Sequence, residues 1–440
     1  MNNKSITKLW PSFPTLDRVY IEKAKGAYLY GKDQFKILDA AGGAIVVNIG
    51  HSRKEVADAI HNATTNSSYI LPPWSCPERE SLITELRDHW LPTHLNRVHL
   101  SSGGSEANET AVKIAIQYQS ARGKPEKRKI LTRSLSYHGT TISMAAMSGH
   151  TSRKKGLESF LEKYPTTETP YPLRCPIGRH HPEATDYYIS NLKKVIKKTG
   201  PENIAALIAE PIIGSSGGAI TPPLNYWEEA QEILKKNDIL LIADEVMTGF
   251  GRIGEKFACN LYDIKADILV AGKGMAGGYA AISGTYSTDE IVSAIENKRY
   301  EVMFHTFAAL PQSCAASATV LKILREERLL ERVKVQGAKL KEKLISTFSN
   351  HPNVAEIRGE GLLLGIEILK DKENLIPFDR EENITLKIIE NSLKEGVFFY
   401  PGGTGDFRDI ICIGPPFIIG EEEIELIIAA LSSSLKRIST

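Results

Sequence analysis

The sequence predicts an α/β protein: a large domain with a mostly parallel sheet wrapped by helices, plus a smaller α+β domain formed by the N- and C-terminal segments. Two observations support this prediction. Between about residues 95 and 290, short strands rich in Ile, Leu and Val alternate with amphipathic helical stretches, as in parallel sheets with crossover helices. Further along the chain, long helical stretches and a strand pair around a glycine-marked turn replace this alternation. We therefore expect residues 1–60 to be part of the small domain, 61–312 to form the large domain and 313–440 to complete the small domain.

The strand candidates of the large domain are brief and apolar, as expected for strands covered on both faces. They are residues 97–100, 129–132, 205–208, 239–243 and 267–270. In the C-terminal part, the pattern predicts one long helical stretch over 314–349, a strand pair over 354–369 and a last helix after Gly420. Residues 26–39 predict a hairpin that packs with the C-terminal domain.

Composition narrows the class of protein. The chain has 440 residues, and 54 Lys plus Arg against 53 Asp plus Glu leave a net charge of +1, so no global field attracts nucleic acid or an anionic membrane. The first residues lack the apolar core of a signal peptide, and we expect a cytoplasmic protein whose partners are small molecules. Five scattered cysteines without a CxxC pair and histidines without HExxH spacing predict neither a disulfide framework nor a metal site.

Lys273, a lysine flanked by glycines, follows the last predicted strand of the large domain, residues 267–270. Glycines allow close approach to the backbone, and a desolvated lysine loses proton affinity and becomes a usable nucleophile, which makes Lys273 a catalytic candidate. The same stretch has the spacing of a dinucleotide fingerprint, Gly272-x-Gly-x-x-Gly277. That alternative requires a crossover helix, whereas the following residues have the pattern of another strand.

An acidic residue, Asp244, ends the preceding strand, and open α/β sheets bind ligands at the carboxyl ends of strands. Taken alone, Asp244 is equally well explained as a cap for the next helix. Its position relative to Lys273 favours a functional role. A carboxylate paired with a pyridine nitrogen and a lysine that forms an imine are the two protein groups that pyridoxal-5'-phosphate (PLP) chemistry requires.

Two further segments fit a cofactor site. Gly104 and Ser105 lie where a strand passes into a helix, and the free N–H groups of a helix N-terminus suit a phosphate. Ser105 as a simple helix cap is the alternative. Tyr137 precedes Gly139 after the next strand and is placed to stack on a heteroaromatic ring, although alone it would be taken as a core aromatic.

These segments, in this order, resemble the class III aminotransferases, a subgroup of the fold-type I PLP enzymes, over nearly the whole chain. The matching motifs are residues 48–51, 102–109, 136–139, 209–212, 243–246, 248–252, 272–274, 305–307, 358–361 and 414–417. The resemblance implies that Lys273 holds PLP as a Schiff base and that Asp244 pairs with its pyridine nitrogen. Tyr137 would stack on one ring face and Val246 would pack on the other. The other cofactor contacts that it implies are Gly104, Ser105, His138, Gly139 and Glu210.

The resemblance also implies a homodimer with shared active sites, because Thr306 would reach the phosphate of the neighbouring subunit. On the substrate side, Ile45 stands where many amine-active relatives have a tryptophan, and Tyr69 and Trp74 are candidates to compensate for it. Arg408 lies near the place of a mobile arginine that accepts a keto-acid carboxylate in relatives. A plain surface arginine explains Arg408 equally well.

The predicted activity is transfer of an amino group from an amine or ω-amino acid to a keto acid such as pyruvate, by a ping-pong mechanism. An aminomutase, epimerase or decarboxylase on the same scaffold is the alternative within PLP chemistry. A nucleotide-binding oxidoreductase is the alternative from another class, and a catalytically silent homologue conflicts with the presence of both Lys273 and Asp244.

Overall fold

The computed structural model describes residues 19–32 and 35–438 of the chain. Its strands are β1 Ile21–Lys25, β2 Tyr28–Gly31, β3 Lys36–Asp39, β4 Arg97–Ser101, β5 Lys129–Arg133, β6 Thr166–Thr167, β7 Ile204–Ala209, β8 Leu240–Asp244, β9 Ile268–Ala271, β10 Ser283–Ser287, β11 Val354–Glu360, β12 Leu363–Ile368, β13 Val397–Phe398, β14 Tyr400–Thr404 and β15 Phe407–Ile413. Its helices are α1 Gly42–Ile45, α2 Lys54–Asn66, α3 Pro77–Glu85, α4 Gly104–Ala121, α5 Ile142–Met147, α6 Ala184–Thr199, α7 Tyr226–Lys236, α8 Ala258–Leu261, α9 Asp289–Asn297, α10 Pro311–Glu326, α11 Leu329–Phe348, α12 Ile384–Lys394 and α13 Glu421–Lys436.

A seven-stranded sheet in the order β4-β10-β9-β8-β7-β5-β6 is the centre of the molecule. The five strands β6, β5, β7, β8 and β9 run parallel, while β10 pairs antiparallel with both β9 and β4. All five strand candidates of the sequence belong to this sheet. The predicted α/β fold class is therefore confirmed.

Alternate residues of the central strands face opposite sides of the sheet. One face packs Ile208, Ile242 and Val270 against apolar residues of α4 and α9. The other face places Leu207, Leu241 and Leu269 in a larger apolar cluster. Because β7, β8 and β9 are parallel and buried on both faces, their carboxyl ends meet at one edge, where chain segments can leave the sheet and form a site.

Two smaller sheets are built from the N- and C-terminal segments, and the first of them combines both. The order of the first is β1-β2-β3-β13, and the order of the second is β11-β12-β15-β14. β13 pairs in parallel with β3, so the N-terminal segment packs with the C-terminal part as expected. β2 and β3 form the predicted hairpin, although residues 33–34 of its turn lie outside the described residues. The domain boundaries after residues 60 and 312 stay a proposal.

The prediction of a single helical stretch over residues 314–349 is wrong. α10 ends at Glu326 and α11 begins at Leu329, because Arg328 adopts a left-handed conformation with φ of 52°. α10 packs against α2 and α3, whereas α11 packs against β11. The break thus lets two consecutive helices cover different parts of the molecule. Within the described residues, no helix is long and apolar enough to cross a membrane.

The contact between α11 and the β11–β12 turn leads to a stability prediction. A Cβ at Gly337 would lie 2.3 Å from the carbonyl oxygen of Gly361. Gly337→Ala should therefore lower the free energy of unfolding by about 1–3 kcal/mol, although alanine is the better helix former. Thermal unfolding measures this, with the exposed Val335→Ala in the same helix as control. A Gly337→Ala protein at least as stable as wild type would contradict the close contact.

Candidate active site

A cavity of about 290 Å³ opens at the carboxyl edge of the central sheet. The start of α4, the segment after β5, the ends of β7 and β8 and the turn after β9 form its walls. Residues from these five segments were predicted to contact the cofactor, and those that line the cavity are Gly104, Ser105, Tyr137, His138, Gly139, Glu210, Asp244, Val246 and Lys273. Long-range folding thus brings together residues that are up to 169 positions apart in the sequence.

A larger groove of about 1080 Å³ lies at the opposite edge of the sheet. Its lining includes Leu240 and Asp267, which stand at the amino ends of β8 and β9, and Thr288, which follows the antiparallel β10. Ligands of open α/β sheets bind at the carboxyl ends of the strands. We therefore place the active site in the smaller cavity, where Glu210, Asp244 and Lys273 converge.

The carboxylate of Asp244 is buried, with 3% of the residue exposed. Its Oδ2 atom accepts a hydrogen bond from Asn108 Nδ2 at 2.8 Å and lies 2.8 Å from His138 Nδ1. Its Oδ1 atom accepts one from the backbone N–H of Val246 at 3.1 Å. The residues after β8 form turns, and α8 begins only at Ala258, so Asp244 does not cap a helix.

Lys273 follows β9 with a backbone φ of 42°, a left-handed conformation that costs free energy in a non-glycine residue. Its Nζ donates a hydrogen bond to the Ala44 carbonyl at 2.8 Å. Burial lowers the pKa of Lys273 to about 8, and the positive charge of Arg252 acts in the same direction, against the negative charge of Asp244. An amine with this pKa is partly neutral near physiological pH and can attack a carbonyl group.

The dinucleotide alternative fails at the same place. Lys273–Met275 forms a single 3₁₀ turn, and the chain then enters β10 Ser283–Ser287, which is antiparallel to β9. A dinucleotide fingerprint needs a crossover helix whose N-terminus faces the pyrophosphate. The glycines here surround a lysine side chain.

The amino end of α4 forms a narrow cradle. A Cβ at Gly104 would lie 3.0 and 3.1 Å from the methyl groups of Val246, and a Cβ at Gly139 would lie 2.5 Å from Ser105 Oγ. The N-cap residue is Gly103, and Ser105 Oγ accepts a hydrogen bond from the backbone N–H of Thr140 at 3.0 Å, so Ser105 does not cap the helix. The cradle joins a helix N-terminus to small side chains, which suits a phosphate group.

A second buried carboxyl group, Glu210, faces the same cavity. Glu210 Oε1 accepts a hydrogen bond from the Gly214 N–H at 2.8 Å, and Oε2 accepts one from the Tyr137 N–H at 3.0 Å. Burial raises the pKa of Glu210 to about 7, and the negative charge of Asp244 adds to this effect. Glu210 therefore holds the backbone of the Tyr137 segment against the end of β7.

Comparison with known proteins identifies the family. The model of the family described as "Aminotransferase class-III" matches residues 14–435. This chain belongs to the class III aminotransferases. It is 35% identical to the uncharacterized aminotransferase YodT of Bacillus subtilis, covering 96% of both chains. It is 34% identical to γ-aminobutyrate transaminase 3 of Solanum lycopersicum, covering 96% of this chain and 81% of the tomato protein.

Solved structures agree with this membership. An amine transaminase from an uncultivated Pseudomonas species, in its PLP-bound form, matches with a TM-score of 0.91 and 30% identity over 98% of this chain and 99% of that chain. An (S)-enantioselective ω-transaminase from Thermomicrobium roseum matches with a TM-score of 0.90 and 31% identity over 96% and 93%. The cofactor of this aminotransferase is PLP, as predicted. The residues of the cavity fit PLP. The glycine cradle at the N-terminus of α4 suits its phosphate, the buried Asp244 suits its ring nitrogen, and the Lys273 amine suits its aldehyde.

Five of the predicted residues do not line the cavity of their own chain. Tyr69 and Trp74 are 41% and 66% exposed, and Thr306 lies on an exposed loop. Ile45 is 2% exposed in an apolar cluster and has φ of 58°, while the next residue, Val46, lines the cavity. In this aminotransferase, Val46 thus lines the cavity where Ile45 was expected to do so.

Arg408 also lies outside the cavity lining. It is half-buried on β15, where Nη2 donates to the Phe378 carbonyl and Nη1 donates to the Gly405 carbonyl at 3.4 Å. Asp406 and Asp409 each have an oxygen 3.8 Å from the Arg408 guanidinium. Local groups therefore hold its side chain.

Sequence reasoning gave no role to some residues that line the cavity, namely Asn108, Val46, Ser215 and Met247. Asn108 lies one helical turn after Gly104, and this spacing is the signal that could have revealed it. Nothing in the local sequence indicated Ser215 or Met247, which reach the cavity from turns after β7 and β8.

The lowered pKa of Lys273 predicts how the cofactor-free enzyme takes up PLP. Only the neutral amine attacks the aldehyde, so the rate of uptake should rise as the pH rises through about 8. Visible absorbance follows the reaction. Lys273→Ala should abolish both the covalent attachment and turnover while some PLP stays bound without a covalent bond. Full turnover in Lys273→Ala would refute the assignment of Lys273.

Proposed function

We propose that this aminotransferase moves an amino group from an amine or ω-amino acid donor to a keto acid such as pyruvate, by a ping-pong mechanism at Lys273. The observation that supports it most directly is the convergence of the Lys273 amine, the Asp244 carboxylate and the helix N-terminus at Gly104 in one cavity. The donor class rests on similarity to proteins described as ω-transaminase and γ-aminobutyrate transaminase.

Each proposed role follows from the position of a side chain. Bound PLP supplies an electron-withdrawing ring that accepts the electron pair left when the substrate Cα–H bond breaks. The Asp244 carboxylate would accept a hydrogen bond from the ring nitrogen and keep that nitrogen protonated. Lys273 Nζ would take the proton from the substrate Cα, a transfer for which a pKa of about 8 is well suited.

The remaining predicted contacts would fix the cofactor. Tyr137 and Val246 line the cavity and would hold the ring from its two faces. The N–H groups at the start of α4, beside Gly104 and Ser105, would bind the phosphate. Glu210 would lie on the side of the ring that carries the 3-oxygen, while His138 would support Asp244 and Gly139 would leave room beside Ser105. These residues orient the reacting bond and leave proton transfer to Lys273.

The active assembly is proposed to be a homodimer with shared sites. Thr306 lies on an exposed loop, and Met303, Phe304 and Phe307 on the same loop are 68%, 48% and 65% exposed. Exposed apolar side chains so close together are typical of a protein interface. A second copy packed there would cover them and bring Thr306 to the phosphate of the neighbouring site.

Titration of the purified holoenzyme with amines and amino acids, without a keto acid, tests the function. A true donor should bleach the yellow absorbance as the amino group moves to the cofactor, and pyruvate should restore it. Alanine should then appear in an amount equal to the cofactor sites. If the yellow band persists with every donor, the aminomutase, epimerase or decarboxylase alternative gains, because these reactions do not leave the amino group on the cofactor.

Two mixed dimers test the shared site. In the first, a Lys273→Ala subunit pairs with a Thr306→Ala subunit; in the second, a Lys273→Ala/Thr306→Ala subunit pairs with wild type. If Thr306 acts across the interface, only the second should bind PLP more weakly at its intact lysine, by about tenfold for one lost phosphate hydrogen bond. The reverse pattern would show that Thr306 serves its own chain, and a monomer in sedimentation would refute the dimer.

A further inference from the structure

An arginine that received no role from the sequence stands beside the cavity. Arg153 belongs to the short 3₁₀ turn Thr151–Lys154 after α5, and its side chain is exposed. Its guanidinium carbon lies 4.6 Å from the ring centroid of Tyr137, which lines the cavity. A cation at this distance is held by the ring face.

The charge of Arg153 reaches the reactive amine. Burial is the main cause of the lowered pKa of Lys273, and the positive charges of Arg252 and Arg153 both add to it. Arg153 also opposes the rise that burial causes in the pKa of Tyr137. An anion that binds at Arg153 would therefore lie within electrostatic reach of both cavity residues.

The turn that presents Arg153 is anchored on both sides. The Ser152 N–H donates to Thr404 Oγ1 at 3.2 Å, on β14 of the small domain. Lys154 Nζ donates to the Ala146 carbonyl at 3.0 Å, on α5 of the large domain. Because its neighbours in the chain are fixed on two sides, the backbone of Arg153 has a defined position beside Tyr137.

Arg153 has no acidic partner within 4.0 Å among residues 19–32 and 35–438, whereas Arg408 already has two carbonyl and two carboxylate neighbours. A guanidinium has five N–H donors arranged as a fork, which matches the two oxygens of a carboxylate. The exposed Arg153 is open to a carboxylate from solvent. Arg408 would have to break its local hydrogen bonds to bind one.

We propose that Arg153 binds the carboxylate of the keto-acid acceptor, the role that the sequence resemblance suggests for Arg408. This inference rests on the proposed amino transfer to a keto acid. It makes Arg153 a specificity residue: acceptors with a carboxylate next to the carbonyl gain from it, whereas amine donors without a carboxylate do not. The same contact would hold the amino acid product, since both share the carboxylate.

Arg153→Gln in the holoenzyme tests this inference, with Arg153→Lys as the conservative variant. For the pyruvate half-reaction, KM should rise by about tenfold, as expected for one lost charge-assisted hydrogen bond at an exposed site, while kcat is retained. The KM for a donor amine that lacks a carboxylate should not change. Arg153→Lys should restore part of the affinity for pyruvate. Lys155→Gln removes a neighbouring exposed charge and serves as the matched control.

Calorimetric titration with propionate gives a readout that does not depend on turnover. Propionate has a carboxylate but no carbonyl or amine to react, and its Kd should rise in Arg153→Gln by a factor similar to that for pyruvate. Three results would overturn the assignment. The Kd for propionate could stay unchanged in Arg153→Gln, or the KM could rise equally for pyruvate and for the amine without a carboxylate. The third is that Arg408→Gln alone causes the same rise in Kd and KM. Failure of amino transfer in the wild type would instead refute the proposed function, and the propionate titration would still test Arg153.

Discussion

The carboxylate of Asp244 has almost no contact with water at the end of β8, so hydrogen-bond donors from other segments must replace its solvation. Asn108 comes from α4, His138 comes from the segment after β5, and the Val246 N–H comes from the turn that follows β8. These three segments also present the glycine cradle, Tyr137 and the methyl groups of Val246. One buried charge therefore links the segments that are proposed to bind the ring and the phosphate of the cofactor.

A second buried charge links the lysine to the small domain. Arg252 is 3% exposed and donates to the backbone carbonyls of Val47 at 2.8 Å, Pro415 at 2.6 Å and Leu362 at 3.3 Å. Burial lowers the pKa of Arg252 to about 9. The N-terminal segment that it holds includes Ala44, whose carbonyl accepts the hydrogen bond from Lys273. Small-domain packing and the electrostatics of the reactive amine thus depend on the same arginine.

The cofactor and substrate parts of the cavity differ in how strongly the fold constrains them. The residues proposed to bind the cofactor stand at or just after the ends of buried parallel strands, or at a helix N-terminus, where packing against the sheet allows little movement. The residues proposed for the substrate stand on turns, where Val46 takes the place expected for Ile45 and Arg153 takes the place expected for Arg408. Turns tolerate changes more easily than strands, and in this family they are the natural place for differences in substrate choice.

The sequence by itself determined the central strands, the sites of Asp244 and Lys273 and the glycine-rich start of α4, because each is a local pattern: a buried apolar run that ends in a polar or small residue. Only the tertiary structure decided that Asn108 supports Asp244, that β13 pairs with β3 and that Ile45 points away from the cavity. It also decided that Arg153 lies over Tyr137 without an acidic partner in the described part of the chain, while Arg408 is held by its neighbours. These outcomes depend on side-chain direction and on packing between distant segments, which the spacing of residues along the chain does not encode.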